Sequence, residues 1–335
     1  MKPSRLALLV VAVTGLLFLL RSPAEDMLPP PMNPVAAEWS AVNALVLAEA
    51  SSLAYGDTGV AEVVKKVLRC TTFEPLTFPL TIPKSFHFEE GEPGPQAFIA
   101  GGEELIVIAF RGTEINLADI ITDAWAQPIE LSGKVPGRVH GGFGMTCSAL
   151  WPDLLTKLTA LRTQFPRARI WLTGHSLGGG LATMAAARLI FDEKVEVQGV
   201  LTFGTSVTGD EIFHRELDKA LAGRHWRCIH QLDPVTLDLS ALKDSGIPFI
   251  DRVPGIDGFM KAAKTFRHGG TPKYLSSDGT LNDDVASSLT GELLELGIHW
   301  VKERSFSMPA DVLERHSIGR GYVPALRKLA AVEKK

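Results

Sequence analysis

Gly174, His175, Ser176, Leu177 and Gly178 form a GxSxG pattern, a spacing that can expose a serine hydroxyl for nucleophilic attack. In a chain with 31 glycines the bare pattern can arise by chance as an ordinary serine at a glycine-rich helix start, so its surroundings decide. The β-rich run Ala168 to Thr173 leads directly into it, and a helix-forming stretch follows from about Gly179. Strand, sharp turn and helix are the order a nucleophile elbow requires. Glycines two before and two after the serine let the strand and helix backbones pass where a Cβ would clash. Such a turn pushes the hydroxyl outward and aims a helix N-terminus, with its free N–H groups, at the reacting centre.

A serine hydroxyl is a weak nucleophile at neutral pH and needs a base, itself oriented by a third group. In elbow enzymes the chain order is Ser, then Asp or Glu, then His. The strand-like run Trp226 to His230 ends in Gln231, Leu232, Asp233 and Pro234, which puts Asp233 just past a strand end. Its competitors are Asp238, in an apolar context, and Asp210, where a helix N-cap belongs. Three histidines follow. His299 sits among Leu296 and Trp300 in a helical stretch and reads as a packing residue; His268 lies between a basic residue and two glycines. His316 opens the stretch Ser317 to Gly321 ahead of a final helix near Tyr322 to Ala331, where a loop can carry the imidazole back to the serine. His316 is the preferred base, with His268 next.

These groups need elements to hold them. Trp39, Val42, Val46, Ala50 and Leu53 recur every three or four positions, predicting a helix that ends near Gly56. Gln96 to Ala100 and Leu105 to Phe110 read as two strands joined through Gly101 and Gly102. Cys147, Trp151, Leu154, Leu158, Leu161 and Phe165 mark a long amphipathic helix from about Phe143 to Phe165. Strand Ile170 to Leu172, helix Leu181 to Phe191, strand Val200 to Phe203, helix Glu211 to Leu221 and strand Trp226 to His230 then alternate. That alternation predicts an α/β fold with a mainly parallel central sheet flanked by helices on both faces and a site at the carboxyl ends of its strands.

The 335 residues are 45% hydrophobic and 21% charged, an ordinary globular composition. A net charge of −4 argues against nucleic acid as a partner. Cys70, Cys147 and Cys228 show no paired CxxC spacing and read as small buried hydrophobes. The nine histidines form no HExxH or similar ligand spacing, so neither a metal nor an organic cofactor is expected. Lys2 and Arg5 precede fifteen uncharged residues, Leu6 to Leu20, that close at Arg21, the layout of an export signal. As a helix this run reaches about 22 Å, short of the roughly 30 Å hydrocarbon core. Residues 1–24 are therefore expected to be a cleaved signal peptide, with an uncleaved membrane anchor as the alternative; residues 25–36 are a proline-rich linker and 37–335 one domain. The chain is read as exported, secreted or periplasmic, or tethered at its N-terminus.

Phe110 to Thr113 after a β-run, VHGGF at Val139 to Phe143, the elbow at Thr173 to Gly179, LTFG at Leu201 to Gly204, LDPV at Leu232 to Val235 and HSIGRGY at His316 to Tyr322 occur in one order. Together they resemble the class 3 lipases, the fungal-lipase-like branch of the α/β-hydrolases, from about Leu47 to about Leu326. The resemblance implies the α/β-hydrolase fold and places the oxyanion hole at Thr113, with the N–H of Leu177 as second donor. It also places a lid at Glu114 to Gln127, where apolar and acidic residues alternate; a plain surface helix is the alternative. His140, Gly141 and Gly142 look superficially like an oxyanion loop but lead into the long helix and read as structural. The long interval between Asp233 and His316 leaves room for an extra hairpin around Phe266 to Leu275.

The expected function is a serine carboxylic ester hydrolase of lipase type, acting through Ser176, His316 and Asp233 and an acyl-enzyme on a lipid ester at a membrane or lipid-droplet surface. A phospholipase A1 or a short-chain carboxylesterase would use the same machinery. A binding protein that has lost activity on this fold is the remaining reading.

Overall fold

The computed structural model describes residues 28–56, 58–77, 97–112, 127–236, 265–282, 284 and 314–333. The expected signal or anchor, the Thr113 oxyanion donor, all but the last residue of the expected lid, and Asp238 and His299 lie outside the described residues.

An eight-stranded sheet in sequential order organises the chain. Its first three strands, β1 (Thr72–Leu76), β2 (Ala97–Gly101) and β3 (Leu105–Phe110), pair antiparallel. From β3 the sheet turns parallel through β6 (Arg169–His175), β7 (Gly199–Phe203), β8 (His225–His230) and β9 (Thr271–Leu275). A short β10 (Leu281–Asn282) closes the far edge antiparallel to β9. A separate two-stranded ribbon pairs β4 (Pro128–Ile129) with β5 (Val139–His140).

Period-two alternation along β3 shows how the sheet serves two cores. Ile106, Ile108 and Phe110 point to one side; Leu105, Val107 and Ala109 point to the other, and all are buried. The first face is covered by α3 (Gly141–Gln164), α4 (Leu177–Phe191) and α5 (Glu211–Leu221). The second is covered by α1 (Ala41–Leu53), α2 (Ala61–Leu68) and the C-terminal α6 (Val323–Glu333). Helices on both faces of a mainly parallel sheet are the architecture expected from the alternating pattern.

The expected hairpin around Phe266 to Leu275 is corrected: Thr271–Leu275 is a single strand that extends the main sheet parallel to β8, and its hairpin partner is Leu281–Asn282. Parallel pairing to a buried neighbour gives this strand its ladder bonds from β8. The three cysteines are buried and unpaired, and burial pushes the thiols of Cys70 and Cys147 up to about 11 and about 12.

Residues 28–36 of the proline-rich stretch lie on the second face. The Trp171 indole donates to the carbonyl of Pro34 at 2.9 Å, and Arg69 donates to that of Pro29 at 2.9 Å. Asn43 clamps Asn33 twice, accepting its N–H and donating to its C=O, both at 2.9 Å.

Candidate active site

Ser176 stands between the last residue of β6 and the first of α4, at φ 56° and ψ −126°. A left-handed backbone at a residue with a Cβ stores strain, which persists only where the surroundings over-determine it. Here they do. The Ser176 N–H donates to the carbonyl of Phe203 on β7 at 2.9 Å, while its own carbonyl accepts from Gly179 at 3.0 Å. A Cβ on Gly174 would stand 2.2 Å from the carbonyl oxygen of Gly178, and one on Gly178 would stand 2.2 Å from that of Phe110. The glycines are thus demanded by backbone passing backbone, as the motif spacing predicts. No side chain caps the N-terminus of α4, so the Leu177 N–H at its first position lacks an intrahelical acceptor and faces outward. Ser176 is 1% exposed, and its Oγ has no hydrogen-bond partner among the described residues.

Asp233 follows β8 and is completely buried. Its Oδ1 and Oδ2 lie 2.9 and 3.0 Å from Nδ1 of His316, its Oδ1 accepts the Val235 N–H at 3.0 Å, and its Oδ2 accepts the Tyr322 hydroxyl at 2.6 Å. Burial pushes the carboxyl up, but the His316 ring and these hydrogen bonds outweigh it and hold the group below the ordinary carboxylate range. A carboxylate can only accept, so Nδ1 of His316 carries the proton and its Nε2 is left free to take one. The His316 side chain is 14% exposed and its ring packs at a tilt of 38° against that of His175, centroids 4.5 Å apart. Ser176 is the next residue after His175, so strand β6 brings the nucleophile candidate to the paired Asp and His. Gly204, at φ 57° after β7, leaves the gap they occupy: a Cβ there would stand 2.7 Å from Asp233 and 3.1 Å from the His316 ring.

The competing candidates fall elsewhere. Asp210 caps α5, accepting the Phe213 N–H at 2.8 Å. His268 is half-buried, with its ring nitrogens inaccessible; desolvation and the Arg227 charge lower its pKa, and it is His316 that meets Asp233. His140 precedes α3 at its N-cap, buried against Phe143 and Phe266, so the HGG stretch begins a helix as expected. Three contributors escaped the sequence reading: Tyr322, His175 and Tyr55, whose hydroxyl lies 2.6 Å from Nδ1 of His175. Tyr322 sits within the HSIGRGY stretch, a signal that marked the segment but not the role. Among the described residues no three His, Cys, Asp or Glu side chains converge as metal ligands, and no helix is long and apolar enough to cross a membrane.

Residues 107–239, from mid-β3 past Asp233, match the family model of class 3 lipases. The chain is 32% identical over 220 residues to the secreted mono- and diacylglycerol lipase 2 of Gibberella zeae, 54% of each chain. The chain spans about half the length of the curated relatives it matches. Among solved structures it resembles the Rhizomucor miehei triacylglyceride lipase at TM-score 0.55 and 18% identity, over 84% of this chain and 95% of that one. It also resembles, at TM-score 0.50 and 19% identity, a triacylglycerol lipase whose catalytic centre is a serine protease triad, over 73% of this chain and 86% of that one. These likenesses show the fold alone, which is that of the α/β-hydrolases.

Proposed function

We propose that the chain is a serine hydrolase that cleaves the carboxylic esters of acylglycerols. The observation that carries the reading is the buried Asp233–His316 pair, oriented with Nε2 free, beside a strained serine at a helix N-terminus. In this reading Ser176 Oγ attacks the ester carbonyl as His316 Nε2 takes its proton. The negative charge that develops on the carbonyl oxygen meets the Leu177 N–H and the Thr113 donor, each preorganised donor contributing about 3 kcal/mol of barrier reduction. His316 then returns the proton to the leaving alcohol, and the acyl group stays on Ser176 until water, activated by the same imidazole, releases the fatty acid. Asp233 holds the imidazolium throughout. Contact between Ser176 and His316 closes when the substrate carbonyl is seated, as apo sites of this kind commonly do.

The named substrates of the Gibberella zeae relative, mono- and diacylglycerols, are the first to test. Relatives named as secreted support export, with residues 1–24 as the signal or tether. The test is hydrolysis by the full chain and by its Ser176→Ala variant. The substrates are p-nitrophenyl esters of two to sixteen carbons, emulsified mono-, di- and triacylglycerol, and phosphatidylcholine. Activity on acylglycerols that falls by up to about 10⁶ in the variant supports the reading. A preference for phosphatidylcholine or for the shortest esters would make it a phospholipase A1 or an esterase. Full activity in the variant, or none in a folded wild type, overturns the serine mechanism.

A further inference from the structure

The hydrogen bonds around His175 form a chain whose polarity is fixed. Its Nε2 lies 2.5 Å from the backbone carbonyl oxygen of His316, and a carbonyl can only accept, so Nε2 carries the proton. Its Nδ1 must then accept, and the partner 2.6 Å away is the Tyr55 hydroxyl, which donates. Tyr55 follows α1, and the guanidinium of Arg111, just past β3, lies 5.9 Å from the centre of its ring. Between them passes Gly112, where a Cβ would stand 2.2 Å from the Tyr55 hydroxyl and 2.6 Å from the His175 carbonyl. The buried His175 side chain therefore touches His316 and neighbours Ser176, while its main chain and the Tyr55 hydroxyl lie against Gly112 at the end of β3.

We infer that His175, held by Tyr55, is a positioning residue for the base: it grips the main chain of His316 and packs against its ring, so that the imidazole keeps its place relative to Ser176. The inference rests on the catalytic reading of Ser176 and His316. The groups facing His175 are Tyr55 from the end of α1, Asp233 after β8, and His316 and Tyr322 from the C-terminal segment. Burial, then the neighbouring His316, lowers the His175 imidazole to about 3. A neutral ring is what the position demands, because a fixed cation 4.5 Å from His316 would oppose each protonation of the base during turnover. Neutrality also preserves the acceptor on Nδ1 that Tyr55 needs.

A mere packing role predicts lost stability alone; a positioning role predicts a loss of rate per folded site. The test uses the full chain with Tyr55→Phe, His175→Phe and His175→Gln, each scored against the number of sites titrated by a p-nitrophenyl alkylphosphonate. Phe at 175 keeps an aromatic ring against His316 but loses both hydrogen bonds, whereas Gln can donate to the His316 carbonyl and accept from Tyr55. Since a 1 Å misplacement costs roughly 10²-fold, Tyr55→Phe and His175→Phe are expected to lower kcat by about 10- to 100-fold with KM within threefold of wild type. His175→Gln should restore most of the loss. Wild-type kcat per titrated site in Tyr55→Phe, which removes one oxygen atom and is the variant least disposed to unfold, overturns the inference. So does a His175→Gln variant no better than His175→Phe. Ser176→Ala assayed alongside keeps the two readings apart: if it abolishes activity while the Tyr55 and His175 variants match wild type, the mechanism stands and the positioning role falls.

Discussion

Adding a single methyl group at Gly174 tests whether backbone proximity at the elbow sets the reactivity of Ser176. A Cβ built there lies 2.2 Å from the Gly178 oxygen, 2.3 Å from the Gly178 carbonyl carbon and 2.7 Å from the Gly179 nitrogen. Real Cβ atoms keep at least 3.0 Å, so the backbone must give by about 0.8 Å, and no flexible side chain is present to absorb it. The displaced atoms belong to the turn that carries Ser176 and the Leu177 N–H, so the shift is delivered to the proposed nucleophile and to one proposed oxyanion donor. A misplacement near 1 Å costs roughly 10²-fold in rate, and overpacking costs about 1–3 kcal/mol of stability, several degrees in Tm at this size. Gly174→Ala is therefore expected to lower kcat/KM on p-nitrophenyl butyrate by about 100-fold while the protein stays folded at 25 °C. Gly178→Ala, aimed at the Phe110 oxygen at 2.2 Å, should behave alike. Gly133→Ala, with nothing within 4 Å, should match wild type. Activity of Gly174→Ala within threefold of wild type, in protein folded by circular dichroism, would refute the argument that these contacts position the serine.

Three further outcomes follow from buried polar groups. Tyr322→Phe removes a hydrogen bond to an ionised carboxylate, worth about 1.5–3 kcal/mol; because Asp233 has a depressed pKa, that loss is complete above the unfolded aspartate value of about 3.9. It should shrink as pH falls through the folded value, and urea unfolding at pH 7 and below pH 4 checks this. His214 is lowered to about 3 by burial and by His225, against 6.5 unfolded, so between those values the unfolded chain binds the extra proton and stability rises with pH. His214→Gln should reduce that slope by up to one proton, measured from unfolding free energies at pH 4, 5 and 6.5. Asn43→Ala breaks both bonds to Asn33, leaving the Asn33 carbonyl only the Ala36 N–H. A loss of about 1–3 kcal/mol is expected, with faster proteolytic nicking around residue 33; unchanged Tm and nicking would count against residues 28–36 being held this way.

What could be read before folding depended on how local the signal was. The long helix and β3 announced themselves because their apolar period is sustained over several turns or three full alternations. The sequence pattern starts the helix after Ser176 between about Gly179 and Leu181, whereas it starts at Leu177, because Gly178, Gly179 and Gly180 resemble turn residues. Their presence in a helix has a tertiary cause. A Cβ on Gly179 would stand 1.9 Å from Thr205 Oγ1, and one on Gly180 would stand 2.8 Å from the Phe143 ring. Strand β1 was missed since Pro75 lies within it, a residue that an edge strand tolerates because one side of it has no ladder to serve. Asp233 and His316 were reachable from chain order and strand ends. The partners of His175 were not: Tyr55 lies 120 positions before it and His316 lies 141 after it, and no local pattern encodes a contact at that range.

The interval of 83 positions between Asp233 and His316 makes the precision of their contact a question in its own right. Loop length is a weak determinant, since each doubling adds only about 0.6 kcal/mol of closure cost. The grip comes instead from the short segment that carries the base. Its first residue, His316, meets Asp233 through Nδ1, and Tyr322, six residues on, returns to the same carboxylate. Between them Ser317 accepts the N–H of Arg320 at 3.3 Å and the segment winds into a π-helical turn that runs into α6. α6 is in turn pinned to α1, where Arg327 pairs with Glu49 and the Glu333 carboxylate accepts the Ala41 N–H at 3.1 Å. Two charge-assisted bonds to one buried acceptor, at about 1.5–3 kcal/mol each, exceed the closure cost of even a fourfold longer loop. The placement of the proposed base is thus written largely into residues 316–333 and the helix they dock on.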